Sequence, residues 1–261
     1  MHDVMRGLQG DTVLVNGAVN PFLEVPKGMM RLRLLNGSNA SVYELNLSNN
    51  RIFHQIASDG GFLEKPIEMN QLVLGPAERA EILVDFSDLK KGETVQLINQ
   101  GLDFMKFIVK GEGSKEYTVP SNLTSIKKID PDHAVKTRKF VFQGMGPSVN
   151  INGKQMDMER IDEVVKLNDT EIWEVSNKSG MGMMGGTVHP FHAHGVQFQI
   201  LDRDGNPPPA NQTGWKDTFL VYPGEKVRAI ATFKHSGVFM YHCHFLEHED
   251  SGMMEQFKVH D

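Results

Sequence analysis

Phe239-Met240-Tyr241-His242-Cys243-His244-Phe245-Leu246-Glu247-His248-Glu249-Asp250-Ser251-Gly252-Met253 opens as a buried strand and runs into a loop rich in metal donors. It holds the only cysteine of the chain, three of its 11 histidines and, at its end, Met253 at ligand spacing. Side chains alternate faces along a strand, so residues two apart share a face. Cys243 therefore points one way, and His242 and His244 the other. A second cluster, His189-Pro190-Phe191-His192-Ala193-His194, lies upstream. If it is extended, His192 and His194 share a face and His189 points away.

Two metal locations follow from this parity. One gathers Cys243, His189, His248 and Met253, and the other gathers His192, His194, His242 and His244. A thiolate, imidazoles and a thioether together suit copper: a His₂Cys set with a long axial Met is the blue-copper arrangement. Zinc also takes Cys and His ligands. One cysteine, a methionine at ligand spacing and four histidines on the opposite face favour copper. Adjacent residues 242–244 join the two locations covalently, a short path for electrons.

Short alternating runs bounded by Gly, Pro, Asn and Asp fill the rest of the chain, the pattern of β-sandwiches. Leu32 and Leu34 alternate with Arg31 and Arg33; Ile82, Val84 and Phe86 alternate with Glu81, Leu83 and Asp85; Val227, Ala229, Ala231 and Phe233 share one face. Asn36-Gly37, Lys91-Gly92, Asn152-Gly153 and Asp204-Gly205 mark turns. No long amphipathic helix is expected. Residues 113–137 are polar, contain Pro120 and Pro131, and read as a connector over the surface. Two all-β sandwich domains are expected, at 4–112 and 138–261. The first has no cysteine and a single histidine, His54, read as a structural or surface residue, so no metal is expected there.

The motifs HPFHAHG and HCHFLEHEDSGMM resemble the two C-terminal copper motifs of the multicopper oxidases, the laccase and cuprous-oxidase family. Asp11-Thr12-Val13-Leu14-Val15-Asn16-Gly17, Arg31-Leu32-Arg33-Leu34-Leu35-Asn36-Gly37, Ala57-Ser58-Asp59-Gly60-Gly61 and Gly214-Trp215-Lys216-Asp217-Thr218 resemble its bacterial branch, so the likeness covers nearly the whole chain. It implies two cupredoxin-like Greek-key sandwiches, the first a metal-free brace. It also implies one mononuclear blue copper on His189, Cys243, His248 and axial Met253, with a trinuclear cluster that reduces dioxygen. In the family that cluster uses eight histidines, four of them from two His-x-His pairs in a first domain. Here His192, His194, His242 and His244 supply four, and the remaining histidines (His2, His54, His133, His235 and His260) form no further His-x-His pair. The expectation is that the chain matches the second and third domains of a three-domain oxidase, and that its partners are a missing N-terminal cupredoxin domain, a small reducing substrate and dioxygen.

The resemblance assigns Glu249 as proton donor for oxygen reduction. Met181, Met183 and Met184 suit Cu(I) by their thioethers, and some relatives use methionines near this place. Those relatives carry an acidic residue just before HPFH and a long Met/His-rich insertion, whereas Gly185-Gly186-Thr187-Val188 stands here. Trp215 and Asp217 read as core and turn residues. Two other functions remain open: a blue-copper electron-transfer or copper-binding module without oxidase activity of its own, and a nitrite reductase-like enzyme. The last would keep its blue site in the first domain, where this chain has no cysteine.

Bulk properties exclude little else. With 27 Lys and Arg against 33 Asp and Glu, the net charge of -6 gives a mildly acidic surface, which argues against nucleic acid as a partner. No apolar run approaches the roughly 20 residues of a membrane span. A lone cysteine excludes an internal disulfide framework. No secretory leader is visible, although the family resemblance implies an extracytoplasmic site.

Overall fold

The computed structural model describes residues 7–111, 113, 117–178 and 186–261. A two-strand ribbon, β1 (Leu14–Val15) with β2 (Ala18–Val19), precedes the first sandwich. One sheet of that sandwich runs β3 (Phe22–Val25), β11 (Leu102–Val109), β10 (Thr94–Asn99), β5 (Tyr43–Leu47), β8 (Gln71–Leu74). The other runs β4 (Met29–Leu35), β9 (Arg79–Asp85), β6 (Phe53–Ser58), β7 (Gly61–Met69). The second sandwich pairs a sheet ordered β13 (Asn150–Ile151), β12 (Lys136–Gln143), β15 (Thr170–Asn177), β19 (Lys226–Thr232), β17 (Gln199–Arg203) with another. That other sheet is ordered β14 (Glu163–Lys166), β21 (Met254–His260), β20 (Gly237–Cys243), β16 (His189–Ala193), β18 (Thr218–Val221).

Alternation explains which faces are buried. Ile82, Val84 and Phe86 are buried while Asp85 faces solvent. Val227, Ala229, Ala231 and Phe233 line the second core, around Trp173, Phe140, Phe191, Phe198 and Phe257. Each fully buried large apolar side chain contributes roughly 1.5–3 kcal/mol, so these aromatics hold the frame on which the donor residues sit. Strand β20 departs from a uniformly buried reading. Its first residues, Gly237 and Val238, are exposed, and only Tyr241–Cys243 is buried. Asn36 departs too: it is buried, and its amide donates to the carbonyls of Ser41 and Leu74, pinning the loop from inside.

The stretch between β11 and β12 is more than a surface wrap. Leu123 N and Ile126 N donate to Glu64 in the first sandwich. Ile129 N donates to Gln199 Oε1, and Gln199 Nε2 returns a bond to Lys127 O in the second. Ile126 itself is buried.

The two sandwiches also meet directly. Gly60 N donates to Trp215 O at 2.9 Å. A Cβ at Gly60 would lie 2.4 Å from Gln197 Oε1 and 2.5 Å from Trp215 Cβ, so only glycine permits this approach. Lys216 is buried between Asp59, 2.9 Å away, and Glu78, 3.1 Å away. Burial opposes the Lys216 charge, but the two carboxylates hold the ammonium protonated. Among the described residues no helix is long and apolar enough to cross a membrane.

Candidate metal centre

Strand pairing brings the two histidine motifs together. β16 lies antiparallel to β20, with Phe191 opposite Cys243 and His192 opposite His242. One turn of helix, α1 (Leu246–Asp250), follows β20 and carries His248 back toward the cysteine. His189 Nδ1 lies 3.3 Å from Cys243 Sγ, and His248 Nδ1 lies 3.7 Å from it. The three donor atoms are within 4.8 Å of one another, and all three residues are buried. Met253 is fully buried in the same core. Its carbonyl accepts from Cys243 N, and its N–H donates to His248 O.

The environment of this group is apolar. Burial, with His248 alongside, pushes His189 well below the usual imidazole range. Burial raises the Cys243 thiol, against a Phe245 N–H directed at the sulfur. A thiolate here would be an uncompensated buried charge unless a cation shared the site.

The second group sits on the other side of the β16–β20 pair. The donor atoms of His192, His194 and His242 lie within 4.8 Å of one another. His194 Nε2 and His242 Nε2 are 3.2 Å apart. His244 joins them, its ring centre 5.6 Å from that of His192 and 5.4 Å from that of His242. The depth is graded: His242 is buried, His192 and His244 are half-buried and His194 is exposed. Burial lowers His194 and His244 and takes His192 down to about 4, in the last case against the pull of Asp217. An open depression of about 1130 Å³ borders this group, lined in part by His192, His194, Lys127, His133 and His235.

Outer partners orient the rings. His242 Nδ1 faces the Cys243 carbonyl at 3.0 Å and Glu249 Oε2 at 3.2 Å. The hydrogen bond to His242 holds the Glu249 carboxyl below its usual range, against burial. His192 Nδ1 faces Asp217 O at 3.0 Å and Thr218 Oγ1 at 2.9 Å. In both rings Nε2 is the nitrogen left for a metal, the arrangement that outer partners of metal-bound histidines impose.

The structure brings His189, Cys243 and His248 together, and His192, His194 and His242 together with His244 beside them, while Met253 meets the first group through backbone bonds. Asp217, read from sequence as a turn residue, instead stands against His192 and accepts both ends of the Arg79 guanidinium at 2.7 Å. No local signal marks that pairing, because the partners are 138 residues apart. Trp215 is half-buried beside Gly60. Met181, Met183 and Met184 lie outside the described residues.

A family profile for multicopper oxidases matches residues 120–261. The chain belongs to the multicopper oxidase family. It is 45% identical over 253 residues to "Multicopper oxidase mco" of Staphylococcus haemolyticus, covering 97% of this chain and 53% of that protein. To a laccase of Bacillus subtilis it is 34% identical over 289 residues, covering 97% and 55%. The crystal structure of a laccase from Pediococcus acidilactici superimposes with a TM-score of 0.93 at 44% identity, covering 98% of this chain and 55% of that one. The two sandwiches are therefore cupredoxin-like. The chain spans about half the length of the curated relatives it matches.

Copper is the metal a multicopper oxidase implies, and the donor set fits it. Atoms bound to one first-row metal at about 2.0–2.3 Å stand about 3.5 Å from one another, close to the spacing of Cys243 Sγ from its two imidazoles. One soft sulfur with two nitrogens in a closed apolar pocket suits copper, whereas the hard oxygen ligands that favour calcium or magnesium are absent from this group.

Proposed function

We propose that this chain is the substrate-oxidising part of a laccase-like oxidase. His189, Cys243 and His248 hold a mononuclear copper, with Met253 as its axial group. His192, His194, His242 and His244 hold their share of a trinuclear cluster. Copper in these places would supply one-electron oxidation of a small reducing substrate, coupled to reduction of dioxygen to water. The observation that supports this most is the adjacency of the two groups. Cys243 belongs to one and its neighbours His242 and His244 to the other, at the end of strand β20.

The chain's own residues then have separable tasks. The closed pocket around Cys243 excludes water from the thiolate. The outer bonds to His192 and His242 keep protons on Nδ1 and leave Nε2 as a donor. Glu249, with its side chain 27% exposed, links solvent to His242 Nδ1 and can hold or pass a proton there. The residue ranges 4–112 and 138–261 act as brace and metal-holding domain, with 113–137 as the connector.

The sequence offers only two His-x-His pairs, His192/His194 and His242/His244. The other cluster ligands therefore come from a further cupredoxin domain. The test is oxygen uptake with a one-electron donor, measured on the copper-loaded chain alone and with such a domain fused or added in trans. Uptake is expected only with the added domain, and Cys243→Ser should abolish both the uptake and the visible thiolate-to-copper band. Robust uptake by the chain alone, or an unchanged band in Cys243→Ser, would refute the reading.

A further inference from the structure

Asp217 belongs to neither donor group, yet its carboxylate accepts four hydrogen bonds. Two come from Arg79 at 2.7 Å each, one from Gln197 Nε2 at 2.7 Å and one from the Thr218 hydroxyl at 2.8 Å. A hydroxyl has one proton to give. Thr218 commits its proton to Asp217, so Oγ1 meets His192 Nδ1 as an acceptor. The carbonyl of Asp217 is the second acceptor for the same nitrogen. Both contacts require the proton on Nδ1, which leaves the lone pair on Nε2.

Arg79 is fixed in its turn. It stands on β9 of the first sandwich, and its backbone N–H donates to Asp59 Oδ1. Its guanidinium also donates to the carbonyls of Ala77 at 3.0 Å and Asp59 at 3.1 Å. A planar fork held at both ends by a carboxylate sets the orientation of that carboxylate, which a flexible ammonium would not do. The linkage runs from Arg79 to Asp217, to the Thr218 hydroxyl and the Asp217 carbonyl, to Nδ1 of His192.

We infer that Arg79 is a positioning residue for the His192 metal ligand. From the sandwich that contributes no donor to either group, it clamps Asp217 and so fixes the two oxygens that hold the His192 ring and its tautomer. The inference rests on the copper reading above for the purpose of His192. The opposing account is an ordinary ion pair that joins the two sandwiches and does nothing for the ring.

Three variants separate these accounts. Arg79→Gln removes the fork. Thr218→Val removes one acceptor while leaving the ion pair in place. Asn211→Ala is the control, cutting a different bond between the sandwiches, Asn211 Nδ2 to Gln55 Oε1. NMR of the copper-free chain reads exchange of the His192 Nδ1–H proton with water. Titration with Cu(II), followed by metal analysis and the visible band, then divides bound copper between the Cys243 site and the histidine group.

In Arg79→Gln and Thr218→Val the Nδ1–H proton is expected to exchange faster, and copper at the histidine group to bind about tenfold more weakly. The band from the Cys243 site should be unchanged, and Asn211→Ala should match the unaltered chain in every readout. Native exchange in both Arg79→Gln and Thr218→Val would overturn the inference, as would equal weakening of both copper sites or the same effect in Asn211→Ala. If the unaltered chain alone binds no copper at the histidine group, the copper titration is repeated with the further cupredoxin domain added, and the NMR comparison decides whether Arg79 holds the ring.

Discussion

Nδ1 of His242 lies 3.0 Å from the carbonyl oxygen of Cys243, the next residue in the chain. The Cys243 residue and the His242 imidazole are thus joined twice, through the peptide and across a hydrogen bond. The same nitrogen meets Glu249 at 3.2 Å, so the half-exposed carboxylate touches the buried ring proposed as a cluster ligand. Glu249→Gln keeps an acceptor and removes the proton-carrying capacity. In the completed oxidase it should retain copper and lower turnover by roughly 10²-fold. Oxygen uptake and copper content, measured on one sample, check this; loss of copper in parallel with activity would reassign Glu249 to a purely structural part.

Met253 is a fully buried thioether one bond removed, through the backbone, from both Cys243 and His248. An axial thioether is a weak, long ligand that tunes potential more than affinity. Met253→Leu conserves volume, so its cost in stability should stay under about 1.5 kcal/mol. The visible band should persist and the reduction potential should rise. Redox titration of the copper-loaded variant decides it, and an unchanged potential would count against axial ligation.

Lys216 lies between the Asp59 and Glu78 carboxylates at the meeting of the two sandwiches. Removing one partner of a buried ion pair leaves an uncompensated charge and costs about 3–5 kcal/mol. Lys216→Met should lower stability by that order, measured by denaturant unfolding. The spectrum of the Cys243 copper should not change, because none of these groups touches it.

Acid should reveal the Asp217 clamp. Burial alone would raise this carboxyl, but Arg79, with Thr218 and Gln197, brings it down to about 2, against about 3.9 in an unfolded chain. A depressed folded-state pKa means stability present in full above the unfolded value and lost as pH falls through the folded one. The difference in melting temperature between the copper-free chain and Asp217→Asn should be steady from about pH 7 to 5. It should shrink below about pH 4 and close near 2. A difference that grew on acidification would contradict the assigned sign.

Much of this was legible in the sequence because it is carried by periodicity. Alternation identified the buried faces of β9 and β19, and residue parity sorted the histidines of two short strands into two groups without any knowledge of how the strands pair. The register of Phe191 opposite Cys243 is what turns that sorting into distances. What escaped reading depends on contacts between distant segments. The Arg79–Asp217 pair joins different sandwiches and has no sequence spacing to betray it. Asn36 looked like a turn residue because Asn-Gly marks turns, and nothing local shows that its side chain is turned inward. The connector looked unattached because polar composition does not say that Glu64 and Gln199 are waiting to bond its backbone.

The single helical turn α1 spreads its residues over three neighbours. His248 faces the Cys243 sulfur, Glu249 faces His242, and Glu247 accepts from Asn39 of the first sandwich. Leu246 N also donates to Asn39 O, so the turn is anchored at its start as well. For protein engineering this makes the segment from His242 to Met253 a single module. Because its residues reach both donor groups and the sandwich contact, a transplant into a related scaffold would have to carry the twelve-residue block together with an asparagine to receive it.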